Sequence, residues 1–188
     1  KGHRFSRLVV HDLESGRLKV VPSNSWSSHY GWFDDRSLVV SDEDPAGRRG
    51  YRIVSIVGGE SIPLGRGELI SDGHPQVSKN GRWLVMDTYP NRSMQQELVL
   101  YDLVEEQVHR LFKIKMPFRF RHDFRCDFHP RWSRDGGAIC FDSAHTGVRS
   151  MCVADLNDCF GREMVVAPGI SPSEPATSLS SPGAVNRK

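Results

Sequence analysis

HPQVSKNGRWLVMD at 74–87 lines up without a gap on HPRWSRDGGAICFD at 129–142, and HYGWFDDRSLVVSD at 29–42 lines up on both. A segment that recurs every 45–55 residues or so marks a repeat architecture before any single element is assigned. Each copy sets two short runs of apolar and β-branched residues around a turn signal: Asp34-Asp35, Asn80-Gly81 or Asp135-Gly136. Asn-Gly and Asp-Gly supply the positive φ that tight hairpins require, so each copy predicts a hairpin of two strands, A and B.

A second pair of strands follows each hairpin. LVVHDLESGRLKVV (8–21), LVLYDLVEEQVHRL (98–111) and MCVADLNDCFGREMVV (151–166) share an aspartate just past an apolar strand: Asp12, Asp102 and Asp155. YRIVSIVGGESIPL (51–64) is a variant copy. Four antiparallel strands per unit of about 45 residues is the signature of a β-propeller blade. The expected fold is therefore all-β, with a half blade at 5–21 and whole blades at 26–65, 70–112 and 126–167. Propellers close with roughly 4–8 blades, so the chain reads as about three and a half blades of a larger one, in the range of roughly 6–8. Closure then needs missing blades or another chain. Residues 168–188, rich in Ser, Pro, Gly and Ala, are expected to be a disordered tail.

The composition is that of an ordinary globular chain: 188 residues, 26% charged, 38% hydrophobic, net charge +2. Basic residues are dispersed, which gives no electrostatic stripe for nucleic acid. No apolar run approaches the roughly 20 residues of a membrane span. Cys126, Cys140, Cys152 and Cys159 show neither CxxC spacing nor an evident pairing, and read as buried free thiols. The chain opens at Lys1 without a signal-peptide pattern, which leaves its compartment unknown.

Candidate chemistry gathers at one end of the hairpins. Opposed residues have positions of constant sum, so His29 is expected opposite Asp42, His74 opposite Asp87, and His129 opposite Asp142. All three pairs fall at the end away from the A–B turn. Asp72 and Asp127 precede the second and third histidines by two residues, while Arg48, Arg92, Arg149 and His145 fall in or beside B–C connections. The connection 112–127 is long for its context and alternates Phe118, Arg119, Phe120, Arg121, Phe124 and Arg125. Such a stretch suits a binding loop, or an edge strand with a buried aromatic face. The histidines also admit two readings. An imidazole bonded to an aspartate of its own blade is a structural staple. Three imidazoles from neighbouring blades could instead hold Mn²⁺, Zn²⁺ or Ni²⁺, with aspartates orienting them and arginines gripping a carboxylate.

The S-x-D-G-type hairpins (Ser78-Lys79-Asn80-Gly81, Ser133-Arg134-Asp135-Gly136) and the x-D-L strand ends resemble the propeller repeats of the TolB family over about residues 5–167. The strings DGHPQVSKNGRWLVMDTYP and RCDFHPRWSRDGGAICFDSAH resemble oligogalacturonate lyase-like propellers over the last two blades. That resemblance implies a divalent metal, Mn²⁺ above others, on histidines plus a glutamine. His74 and His129 come first as ligands and His145 third, with Gln76 a candidate for the glutamine. It implies His122 as base and Arg125 as the charge-stabilising catalytic partner in β-elimination. Arg92, Arg121, Arg149, Asp127 and Asp142 would meet an acidic oligosaccharide. A bacterial cytoplasmic or periplasmic setting is implied likewise. The alternative is a non-catalytic TolB-like propeller that binds protein or glycan, whose His and Asp groups would all be satisfied within blades. A third is an accessory propeller like those of prolyl oligopeptidase relatives; no G-x-S-x-G elbow is present here to supply its chemistry.

Overall fold

The computed structural model describes residues 6–22, 26–44, 46–58 and 61–157. Thirteen strands fall into four antiparallel sheets among these residues. The first sheet has two strands, β1 (Val9–His11) and β2 (Leu18–Val20). The second runs β3 (Ser27–Asp34), β4 (Ser37–Glu43), β5 (Arg49–Ser55) and β6 (Ser61–Leu64). The third runs β7 (Gln76–Val77), β8 (Trp83–Asp87), β9 (Gln95–Asp102) and β10 (Gln107–Lys115). The fourth has β11 (Arg131–Trp132), β12 (Ala138–Ser143) and β13 (Ser150–Asp155). In every sheet each strand pairs with its neighbours in sequence. The outer strand expected near 162–166, the tail 168–188 and Cys159 lie outside the described residues. Cys126, Cys140 and Cys152 are free thiols.

Short polar motifs make the turns. In the third sheet Gly81 takes φ 72° and donates to Ser78 O, while Ser78 Oγ accepts from Trp83 N at 2.9 Å and donates to Asn80. Ser133, Asp135, Gly136 (φ 77°) and Ala138 repeat the arrangement in the fourth. The recurring aspartate after strand C turns the chain by accepting backbone N–H groups. Asp12 takes those of Glu14 and Ser15, Asp102 those of Val104 and Glu105, and Asp155 that of Asn157.

Alternate side chains send the two faces of a sheet to different neighbours, and three apolar seams result. Leu38, Val40 and Val54 meet Leu8, Val10 and Val21 of the first sheet. Val39 and Tyr51 turn the other way, onto Leu84, Met86, Val99 and Tyr101 of the third. Val85, Leu98 and Leu100 then face Phe128, Ile139 and Phe141 of the fourth. The run Trp83-Leu84-Val85-Met86 is apolar throughout because both faces of its strand are covered. Inner strands of adjacent sheets approach closely: a Cβ on Gly31 would lie 2.7 Å from Pro75 O.

The first hairpin departs from the expected register. Val85 pairs Gln76 and Cys140 pairs Arg131, as the constant sums predict. In the second sheet two irregularities, between Trp32 and Asp34 and between Ser27 and Tyr30, together put Ser27 opposite Asp42. The His29–Asp42 pair is thereby replaced: Asp42 is buried against the Arg52 guanidinium, and His29 reaches the next sheet. His129 and Asp142 also do not pair. His129 lies ahead of β11 at φ 42°, and Asp142 is ion-paired with Arg131 at 3.1 Å.

Candidate functional site

Three imidazoles cluster, edge-on or tilted to one another, where the inner strands of successive sheets begin. The ring centroids of His29 and His74 are 4.2 Å apart, and those of His74 and His129 are 3.9 Å apart. Each ring is fixed from behind. His29 Nδ1 lies 2.9 Å from Asp72 Oδ1, and Ser28 Oγ donates to the other oxygen of that carboxylate. Because a carboxylate only accepts, His29 Nδ1–H is the donor to Asp72, and Tyr89 Oη lies 2.9 Å from the ring's Nε2. His74 Nδ1 sits 3.0 Å from Asp87 Oδ1.

Asp87 serves two sheets at once. Its Oδ1 accepts from His74 N at 2.6 Å and its Oδ2 from His129 N at 3.1 Å. The approach depends on Gly73, where a Cβ would stand 1.9 Å from Asp87 O. On the far side, Asp127 Oδ1 accepts from Arg125 Nε at 2.5 Å and from Gln96 Nε2 at 3.3 Å. Gln96 is fully buried and its Oε1 has no partner among the described residues. The Arg125 guanidinium lies 4.1 Å from the centroid of the Tyr89 ring.

The carboxylates set the electrostatics. Burial works against a charge on His74, but the Asp87 carboxylate, helped by Asp127 and Asp72, prevails and holds its pKa above the ordinary 6.5. Burial, then the charge of Asp72, pushes the Tyr89 phenol up to about 12, so it keeps its proton. Asp72 is held below the ordinary carboxylate value despite its burial, by His29, Ser41 and Ser28.

Of the residues singled out in the sequence, His74 and His129 converge with Asp127, one donor atom from each lying within 4.8 Å of the others. Asp127 stands among the candidate ligands rather than only as a substrate contact. His145 is outside this group: it is exposed just past β12, with its Nδ1 2.8 Å from Ser143 Oγ. Gln76 is committed elsewhere, accepting from Trp132 N at 2.7 Å. Arg125, Asp127, His129, Asp142 and Arg149 line one cavity of about 350 Å³. Arg149 Nη2 also donates to Phe124 O, which ties the long connection down. His122 is exposed on the 3-10 turn His122–Phe124, whose end is Arg125. Arg121 stacks on Phe118 at 4.9 Å and Arg92 is exposed between β8 and β9, both away from the clustered rings' hydrogen bonds.

His29, Tyr89, Asp72 as its partner, and Gln96 were not legible as a group. Their contacts run between sheets, and only Tyr89's position two residues after Asp87 carried a hint.

Solved structures with the same arrangement of sheets exist. The chain superposes on TolB from Acinetobacter baumannii with a TM-score of 0.64, over 83% of this chain and 35% of that one, at 19% identity. The fold is that of a β-propeller. A protein provisionally designated TolB from Agrobacterium tumefaciens gives 0.52 over 80% of this chain and 57% of that one, at 17% identity. The tricorn protease gives 0.50 over 87% and 18%, at 14% identity. The chain thus spans about a third of the length of the first of these, and the propeller is partial. Two oligogalacturonate lyases, one in complex with manganese and one from Vibrio parahaemolyticus, overlay at only 0.43 and 0.45. No family model matches the sequence, and no curated protein does. Among the described residues no helix is long and apolar enough to cross a membrane.

Proposed function

We propose that His74, His129 and Asp127 hold a divalent transition metal, Mn²⁺ above others, and that this centre takes the carboxylate of a uronate-containing oligosaccharide for β-elimination. The carrying observation is the convergence of one donor atom from each residue within 4.8 Å. Their remaining polar atoms are already committed. His74 Nδ1 is on Asp87, His129 Nδ1 is 3.3 Å from Asp127 O, and Asp127 Oδ1 is taken by Arg125 and Gln96. Two imidazole Nε2 atoms and one carboxylate oxygen remain, a mixed N/O set that suits Mn²⁺, Zn²⁺ or Ni²⁺. A carboxylate behind a ligating histidine, as Asp87 stands behind His74, fixes the ring and its tautomer.

A bound divalent ion would supply Lewis acidity toward a substrate carboxylate. Arg125 lines the cavity that Asp127 and His129 also line, with its Nε fixed on Asp127 and its face on Tyr89, leaving its other N–H donors for a carboxylate. Arg149 adds a second positive charge to that cavity. In the elimination, the hydrogen on the carbon bearing the carboxylate leaves as a proton. The C–O bond at the next carbon then breaks, a carbon–carbon double bond forms, and the departing oxygen keeps the bonding pair and takes a proton from solvent to become a hydroxyl. His122, one 3-10 turn before Arg125, is the proton acceptor assigned in this reading.

A second reading, a non-catalytic binding propeller, draws on a specific observation: the His29–Asp72 and His129–Asp87 bonds join successive sheets. There the histidines are clips, not ligands. Elemental analysis of the purified protein, wild type beside a His74→Ala, His129→Ala double variant, separates the two. Stoichiometric metal that vanishes in a folded variant supports the centre. His122→Ala should then keep the metal and lose the ultraviolet absorbance of unsaturated product on oligogalacturonate. Absence of metal from both, with a less stable variant, supports the clips.

A further inference from the structure

Arg125 lines the cavity together with Asp127, and its one side-chain hydrogen bond leaves the plane of its guanidinium undecided. Nε donates to Asp127 Oδ1 at 2.5 Å. That bond fixes one atom of a planar group. Rotation about it would carry Nη1 and Nη2 through different directions, whereas a bidentate grip on a carboxylate needs its donors held in one plane. The second restraint is the face of Tyr89, whose ring centroid lies 4.1 Å from the guanidinium carbon.

Tyr89 is itself held from another sheet. It stands two residues past β8, and its hydroxyl reaches the second sheet, 2.9 Å from His29 Nε2. The two rings meet edge-on with centroids 5.6 Å apart. Asp72 turns His29 from 2.9 Å behind its Nδ1, and Ser28 Oγ holds Asp72 at 3.0 Å. Ser28, Asp72, His29, Tyr89 and Arg125 thus form one line of contacts, from β3 across the third sheet to the Asp127 carboxylate ahead of the fourth. Two neighbouring arginines supply a comparison. Arg121 lies over Phe118 at 4.9 Å and Arg119 over Phe120 at 5.2 Å. A phenyl ring has no polar atom by which another sheet could hold it, and the arginine backed by a tethered ring is the one in the cavity.

We infer that Tyr89, and His29 through it, are positioning residues for Arg125: they set the plane in which its Nη donors meet a substrate carboxylate. The inference rests on the reading of Arg125 as a carboxylate clamp and does not depend on the metal. It gives a role to His29, which is not among the converging donor atoms. A mere clip between sheets would serve equally well wherever Arg125 pointed.

The test reads Arg125 directly, as the NMR signal of its Nε–H in the full-length protein, assigned by its absence from Arg125→Lys. Hydrogen exchange at that proton should quicken about tenfold in Tyr89→Leu, the scale of a lost cation–π contact. It should quicken less in Tyr89→Phe, which keeps the face and loses the hydroxyl, and His29→Ala should match Tyr89→Phe. On oligogalacturonate, kcat/KM of Tyr89→Leu should fall about tenfold, chiefly through KM, and Tyr89→Phe should recover most of it. Unchanged exchange in Tyr89→Leu and His29→Ala, with only a lower melting temperature, would make these contacts a clip and overturn the inference. A loss confined to kcat would overturn it too. If the wild type eliminates nothing, the lyase reading fails, while exchange at Arg125 Nε–H still decides whether Tyr89 and His29 set its plane.

Discussion

Asp102 shows how one residue does two jobs with two oxygens. Its Oδ1 turns the chain after β9, and its Oδ2 accepts from Arg82 Nε and Nη2 at 3.1 and 2.8 Å. Burial opposes its ionisation, but Arg82 and the N–H groups of Glu105 and Val104 win and hold its pKa below the ordinary 3.8. A lowered folded value means that the stabilisation is complete above pH 3.8 and is lost as pH falls through that lowered value. Removing one partner of a buried pair costs about 3–5 kcal/mol. Asp102→Ala should therefore lose that much in urea unfolding near neutral pH. Its deficit against wild type should shrink as acid protonates the native carboxylate. Gly73 is a second single-residue control. With a Cβ only 1.9 Å from Asp87 O, Gly73→Ala must displace the loop, at a cost of about 1–3 kcal/mol from overpacking. If the proposed centre takes a metal, the same displacement should lower its content, which elemental analysis of the folded variant would read.

At the scale of the strand, what was legible in the sequence was what is local. The Asn80-Gly81 and Asp135-Gly136 turns, the strand-ending aspartates and the His74–Asp87 contact depend on residues close in one hairpin or its flank, and the repeat exposes them. The expected His29–Asp42 pair fails because two irregularities, between Trp32 and Asp34 and between Ser27 and Tyr30, shift β3 by two places against β4, and nothing in HYGWFDDRSLVVSD announces those shifts. His129 was misassigned for another reason. The register of β11 and β12 is as expected, but the left-handed backbone at His129 aims its N–H at the sheet before it. Tyr89, Gln96 and the ring cluster need the twist between sheets, which no single-hairpin pattern contains. Two of the three side chains that the fold brings together, His74 and His129, were thus legible as candidate ligands, and Asp127 was not.

For the molecule as a whole, the buried apolar residues gather in seams between sheets. Phe128 is fully buried between the third and fourth sheets, with its ring centroid 5.3 Å from Phe141 and 6.2 Å from Phe112. Phe128→Ala should cost about 3–5 kcal/mol, seen as a lower denaturant midpoint at unchanged slope if the sheets unfold together. A change of slope would mean that the fourth sheet comes away first.

The forked carboxylate of Asp87 makes this modular body reciprocal. One oxygen orients the His74 ring, and the other holds the backbone that carries His129. Whatever draws on the ring and shifts that carboxylate must change how firmly the fourth sheet is held. By linkage, a change that loosens the fourth sheet must weaken occupancy of the ring by the same factor.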